Sequence, residues 1–208
     1  MYSTLKKLRL ISLVSIGLLV SCQQGIDEPY RQAMAAERMA INEHFFNAQE
    51  TPLDSENFSH FKGLKFYPVN EKYRVYANLT LLENQPVFNL PHSHNSSRPY
   101  KNYAIAKFEL DGKNYELVVL EQAEKNAENE NYLLLPFNDA TNGKETYGAG
   151  RYIDLDKKSG TSLIIDFNKA YNPYCAYNSN YTCPIPPKEN KLPIAIEAGV
   201  KTLEATEH

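Results

Sequence analysis

Tryptophan is absent from the 208 residues, cysteine occurs only three times, and no apolar run approaches the length of a bilayer crossing. The last of these excludes an ordinary membrane-spanning helix, which needs about 18 or more consecutive apolar residues. An excess of positive charge is missing as well: 22 Lys and Arg face 25 Asp and Glu, a formal net charge of −3. Three of the basic residues, Lys6, Lys7 and Arg9, precede residue 22, and without them 19 basic residues face 25 acidic ones. Such a chain lacks the electrostatic footprint of a nucleic-acid binder. No Gly-x-Ser-x-Gly elbow, His-Glu-x-x-His helix, Ser–His–Asp order or dinucleotide glycine pattern occurs. Helical patterns between strands, which a parallel βαβ sheet requires, are absent too.

Against these absences stand 42% hydrophobic and 12% aromatic residues, enough for a core and too many for global disorder. Tyrosine (15) and asparagine (20) are abundant. The first favours strands and the second turns, so the composition leans toward β structure.

Residues 1–21 read as a secretory signal peptide: a basic start through Arg9, then an uncharged core, too short as a helix to span a bilayer. Leu19-Val20-Ser21-Cys22 resembles the bacterial lipobox, in which the chain is cut before Cys and the thiol is acylated. The expectation is a lipid anchor on Cys22, held stably because each buried CH₂ contributes about 0.8 kcal/mol. Residue 23 is Gln rather than Asp, which in lipoproteins resembling this one favours the outer membrane where the cell has one. Residues 22–28 are then a tether and 29–208 a single domain.

In that domain the apolar spacing of Tyr30, Met34, Ile41 and Phe45 predicts a packing helix over about 29–47, with Asp27 or Glu28 as cap and Pro29 in its first turn. A β domain follows over about 60–200. Period-two alternation predicts strands near 73–82, 103–110 and 114–120, the last two flanking the hairpin signal Asp111-Gly112. Residues 84–98, with Pro86 and Pro91, read as a long loop. Shorter strands are expected at 132–136, 151–155, 163–167 and 193–197. Together these predict a mainly β fold, an antiparallel β-sandwich or partly open barrel with one N-terminal α-helix and long loops.

Several blocks in the C-terminal half are distinctive: Phe137 to Tyr147, Gly150-Arg151-Tyr152, Asp166 to Pro173, Cys175 to Tyr177, Tyr181 to Asn190 and Ile196 to Gly199. With Thr51-Pro52-Leu53, Phe61 to Leu64 and Phe66-Tyr67-Pro68 they resemble an uncharacterised prokaryotic family, domain of unknown function 1684, over roughly 45–201. That family usually closes on Ala-Gly-Glu, whereas Val200 stands here in place of the acid. The resemblance implies no substrate and no reaction.

Asp139, Thr141, Lys144, Glu145, Tyr147 and Arg151 gather functional side chains in one short stretch. Arg151 suits a bidentate grip on a carboxylate or phosphate. Asp139 and Glu145 would suit acid and base roles if their surroundings separated their pKa values. The competing reading is a β-connection held by an Asp–Arg pair and Asx turns. Lys144 is no P-loop lysine, since the spaced glycines before it are lacking. Asp166, Asn168, Tyr171 and Asn172 end a strand and either tie down a loop or share a site with Arg151, near which Asp139 is the expected buried partner. Cys175 and Cys183 form by default a disulfide, with buried free thiols or a nucleophile as alternatives. Their spacing is not that of a zinc site. His92 and His94 have an i, i+2 spacing but a loop context and no third ligand, so no metal site is expected; nor is any cofactor.

Three functions compete. The first is a lipid-anchored cell-envelope binding or scaffold module, holding a small polar ligand or an envelope protein partner near Arg151. The second is a hydrolase using Asp139, Glu145 and Arg151, and the third a purely structural protein. The crowd of Tyr147, Tyr152, Tyr171, Tyr174, Tyr177 and Tyr181 would suit carbohydrate or peptide binding if it lined a cleft.

Overall fold

The computed structural model describes residues 27–127 and 129–203. The expected signal peptide and the lipidation site Cys22 lie outside the described residues. Helix α1 spans Glu28–Phe46 and carries Pro29 in its first turn, where a missing N–H costs nothing. Asp27 holds the N-cap position, but its side chain makes no cap bond; its backbone N–H goes to the Glu71 carboxylate instead. A second helix that the sequence reading lacks, α2 (Ser55–His60), is capped by Asp54, whose carboxylate accepts from Asn57 N at 2.7 Å.

Seven strands follow: β1 (Arg74–Leu81), β2 (Phe88–His92), β3 (Ser96–Leu110), β4 (Lys113–Gln122), β5 (Tyr132–Phe137), β6 (Arg151–Asp156) and β7 (Ser162–Asp166). They form one antiparallel sheet in the order β6-β5-β4-β3-β1-β7, with β2 paired to the first half of β3. The two ends approach each other: Tyr152 N donates to Tyr171 O at 2.9 Å and Tyr171 N to Tyr152 O at 3.0 Å, so the sheet is nearly closed into a barrel. Of the two β architectures expected, the barrel is the one formed.

Alternation sorts side chains between two faces. Ala104, Ala106, Phe108, Leu117, Val119, Leu133, Leu135, Ile153 and Ile165 fill the inner face. Tyr100, Leu120, Leu134 and Tyr152 lie on the other. A bulge in β3 between Asn102 and Ala104 lets one strand serve both faces. Asp111 and Gly112 turn β3 into β4 with φ of 51° and 71°, the left-handed pair of a type I′ turn.

Two expectations fail. The loop assigned to 84–98 contains β2 and the start of β3. Pro91 misled because it cannot donate to a ladder, yet it needs only to accept: its carbonyl takes Ile185 N at 2.8 Å, while β2 pairs with β3 through its neighbours. The strand expected at 193–197 is absent. There the backbone bonds to side chains and loop instead: Ile196 N donates to Asp139 and Ala140 N donates to Ile194 O at 3.0 Å. This segment threads Leu192, Ile196 and Ala198 into the inner core. Gly199, at φ +77°, ends it where a Cβ would lie 2.4 Å from the Ala170 carbonyl oxygen.

Candidate functional site: a tyrosine cleft apart from a sealed arginine

Arg151 is 0% exposed at the start of β6. Its Nη2 pairs with Asp139 at 2.8 Å and also donates to Ile196 O at 2.8 Å, while Nη1 donates to Ala198 O. Its guanidinium stands over the Phe137 ring, 5.3 Å from the centroid. Asp139 accepts in addition from Thr141 N at 2.8 Å and Thr141 Oγ1 at 2.6 Å. The cluster pins the 139–146 loop and the C-terminal segment to β6. With both partners' side chains 0% exposed, no surface remains on it for a ligand.

The other sequence-selected residues scatter around this lock. Lys144 and Glu145 point to solvent on the loop. Half-buried Tyr147 reaches Cys175 Sγ at 4.0 Å. Asp166 and Asn168, expected beside Arg151, build a separate cluster: Asp166 accepts from Tyr30 OH at 2.8 Å and Asn168 N at 3.0 Å, and Asn168 exchanges two bonds with Asn70. That cluster fastens the start of α1 to the end of β7. Tyr171 and Asn172 line a different place, to which Asn168 also contributes.

That place is a cleft of about 900 Å³ between α1 and the outer face of β3–β6, closed along one side by residues 171–184. Met34, Ile41 and Phe45 of α1 form its apolar wall. Seven tyrosines line it: Tyr100, Tyr132 and Tyr152 from the sheet, and Tyr171, Tyr174, Tyr177 and Tyr181 from the side segment. The segment is laced down by Tyr152 OH to Pro184 O, and by Ser93 and Cys183, which exchange N–H to O=C at 2.9 Å and N–H to Oγ at 3.0 Å. Tyr174 and Tyr181 stand at the rim, 41% and 37% exposed, with ring centroids 5.3 Å apart and edge to face.

The polar centre of the cleft is Asp154. Its Oδ1 accepts from Tyr171 OH at 2.6 Å and Tyr132 OH at 2.8 Å. Burial, reinforced by the negative charge of Asp154, holds both phenols well above their ordinary range, so they stay protonated donors. Asp154 itself remains exposed, with acceptor capacity to spare. Buried His92 also lines the cleft, and its Nδ1 lies 2.9 Å from Leu90 O. Burial and then the charge of Arg98 push its pKa down, which keeps it neutral with Nε2 as an acceptor. Arg98 adds an exposed guanidinium.

Asp154, Tyr132, Tyr100, Arg98 and His92 were not selected from sequence as site residues. Their signal is weak because they come from four strands, β2, β3, β5 and β6, and meet only through the pairing of the sheet. The usable sign was the alternation in β6, where Tyr152 and Asp154 must face away from Arg151 and Ile153.

A model of the protein family of unknown function DUF1684 matches residues 59–201. Among solved structures, the chain is similar to the solution NMR structure of an uncharacterized protein from gene locus rrnAC0354 of Haloarcula marismortui. Identity is 33%, over 86% of this chain and 97% of that one, with a TM-score of 0.67. No curated protein matches the chain.

Proposed function

This chain belongs to the DUF1684 family of proteins of unknown function, and from that premise we propose that it is a lipid-anchored binding module of the cell envelope whose ligand occupies the tyrosine cleft. The observation that carries the reading is Asp154, an exposed carboxylate held between two tyrosine hydroxyls inside a 900 Å³ aromatic cleft. The ligand class that fits is a polyhydroxylated ring. A sugar offers apolar C–H faces for tyrosine rings to cover, and hydroxyls that need fixed acceptors such as Asp154 and His92. Tyrosine provides that combination of rigid apolar body and polar tip. The location of the ligand departs from the pocket near Arg151 that the sequence favours, because that arginine is sealed from solvent and both its Nη atoms are bonded within the fold. The same burial argues against a hydrolase using Asp139 and Arg151, with Glu145 out in solvent.

Because the chain has no tryptophan, its intrinsic emission comes from tyrosine, and seven of the 15 tyrosines line the cleft. Titrating the protein with an N-acetylglucosamine oligomer and with a glucose oligomer should change that emission with one of them, and Asp154→Asn should weaken the response. Unchanged emission and unshifted tyrosine NMR signals with both oligomers would sink the glycan reading. Anchoring has its own test: Cys22→Ser should leave the chain unprocessed or release it from membranes, and unaltered processing and membrane association would reject the anchor.

A further inference from the structure

Cys175 and Cys183 are free thiols, not the disulfide expected by default from an even count in an oxidising compartment. They nevertheless lie together: Cys175 N donates to Cys183 Sγ at 3.3 Å, and the two side chains are hydrogen bonded to each other. Three donors surround the Cys175 sulfur, namely the Cys183 thiol, the Tyr147 hydroxyl at 4.0 Å and the Ser93 hydroxyl. Their effect is to favour the thiolate: the Cys183 thiol first, then Tyr147 and Ser93, outweigh burial and bring Cys175 down to about 7. The partner is driven the opposite way, since its proton is the one donated to Cys175 and since it is buried. Cys175 is partly open to solvent, whereas Cys183 is 8% exposed and lines the cleft.

We infer that Cys175 and Cys183 are a thiol–disulfide exchange couple set in the wall of the cleft, with Cys175 as attacking sulfur, Cys183 as resolving sulfur and an exogenous disulfide as oxidant. In the first step the Cys175 thiolate attacks one sulfur of the oxidant, a new S–S bond forms, and one thiolate leaves. In the second, Cys183 gives up its proton and attacks the Cys175 sulfur, and the second thiolate leaves. Two electrons pass from the cysteine pair to the oxidant, and the two cysteine protons end on the released thiols or in solvent. The division of labour follows from exposure and proton placement: the accessible sulfur is the nucleophilic one, and the sheltered thiol is within reach of the mixed disulfide.

The donors also favour the reduced form. Hydrogen bonds that stabilise a thiolate are lost when its sulfur enters a disulfide, so the bond is easily reduced, unlike a structural one. Closing the bond draws the sulfurs to about 2.05 Å and shifts the 175–183 loop, which carries Tyr177 and Tyr181 into the cleft. That consequence rests on the cleft as ligand site; the exchange chemistry does not.

The test treats the full chain with glutathione disulfide under native conditions and maps adducts by peptide mass spectrometry, which also separates Cys22. The wild type should end as an internal Cys175–Cys183 bond, with two glutathiones released for each oxidant consumed. Cys183→Ser, which keeps a donor beside Cys175, should stop at the mixed disulfide on Cys175. Cys175→Ser should slow capture at residue 183 at least roughly tenfold, the advantage of a half-ionised thiol over an ordinary one near neutral pH. Equal capture in the two variants, or no reaction before unfolding, overturns the couple. Should a variant misfold, the wild type still decides. Alkylation of Cys175 by iodoacetamide should rise with pH about a midpoint near 7, and a midpoint above about 8.5 refutes the assignment. Loss of the tyrosine emission response to sugars would leave all these outcomes untouched, so the two proposals fail separately.

Discussion

Asp139 and Asp154 are both carboxylates beside β6, and the fold uses them in opposite ways. Asp139 is sealed with Arg151 on the inner side, and its oxygens are taken by the guanidinium, Thr141 and Ile196 N. Asp154 stands three residues beyond Arg151 on the outer side, bonded to two phenols and open to the cleft. Arg151 and Ile153 point inward, Tyr152 and Asp154 outward. One strand thus carries a structural lock on one face and the polar centre of the cleft on the other. The lesson is that a charged residue's depth, not its presence in a polar sequence block, decides whether it can serve a ligand. A buried charge must be matched within the fold, and matching consumes the valences that a ligand would need.

The comparison breaks most readily at Arg151. Arg151→Ala should cost about 3–5 kcal/mol in denaturant unfolding, because Asp139 is left buried without its partner. The Arg151→Ala/Asp139→Ala pair should lose less than the sum of the singles, with coupling of roughly 0.5–3 kcal/mol. Additive losses, or a surface-sized effect of the single change, would show that the lock is not one. Gly199→Ala comes next: a left-handed backbone alone costs about 1–2 kcal/mol for a residue with a Cβ, and the carbonyl of Ala170 stands in the way. Circular dichroism melts should show a clear fall. Asp154→Asn sharpens the contrast from the other side. Its stability should move by no more than about 0.5 kcal/mol, while affinity for the responding oligosaccharide falls roughly tenfold, ~1.4 kcal/mol. An Asp154 variant as unstable as Arg151→Ala would erase the distinction. The smallest effect is expected at the rim, where Tyr181→Ala removes a 37% exposed ring. It should leave the melt nearly unchanged and weaken sugar binding by only a few-fold, about 0.5–1 kcal/mol.

Much of the fold was legible because its signals are local. The 3.6-residue spacing from Tyr30 to Phe45 placed α1 within a residue at each end, at Glu28–Phe46. Asp111-Gly112 marked a hairpin because only a few residues adopt its backbone. Pro91 and the apolar run at 193–197 misled for complementary reasons. Pro91 sits where only its carbonyl is needed, accepting from Ile185 N, and side-chain partners replaced the ladder that the apolar run lacked. The site was less legible. Proximity in sequence brought Asp139, Thr141 and Arg151 to notice, and the structure does unite them, but it buries them. The cleft joins Asp154 to Tyr132, 22 positions earlier, and to Tyr171, 17 positions later, through pairing that no local pattern encodes.

The two faces of β6 have an evolutionary consequence. Positions 151 and 153 answer to the folding equilibrium, and positions 152 and 154 border whatever the cleft holds. A change at the first pair is expected to cost folding stability, because both side chains are buried. On the proposed reading, a change at Asp154 alters what the cleft binds and leaves folding nearly untouched. A descendant could therefore retune its specificity through alternate codons of a single strand without disturbing the codons between them, and the barrel would inherit a new ligand on an old frame.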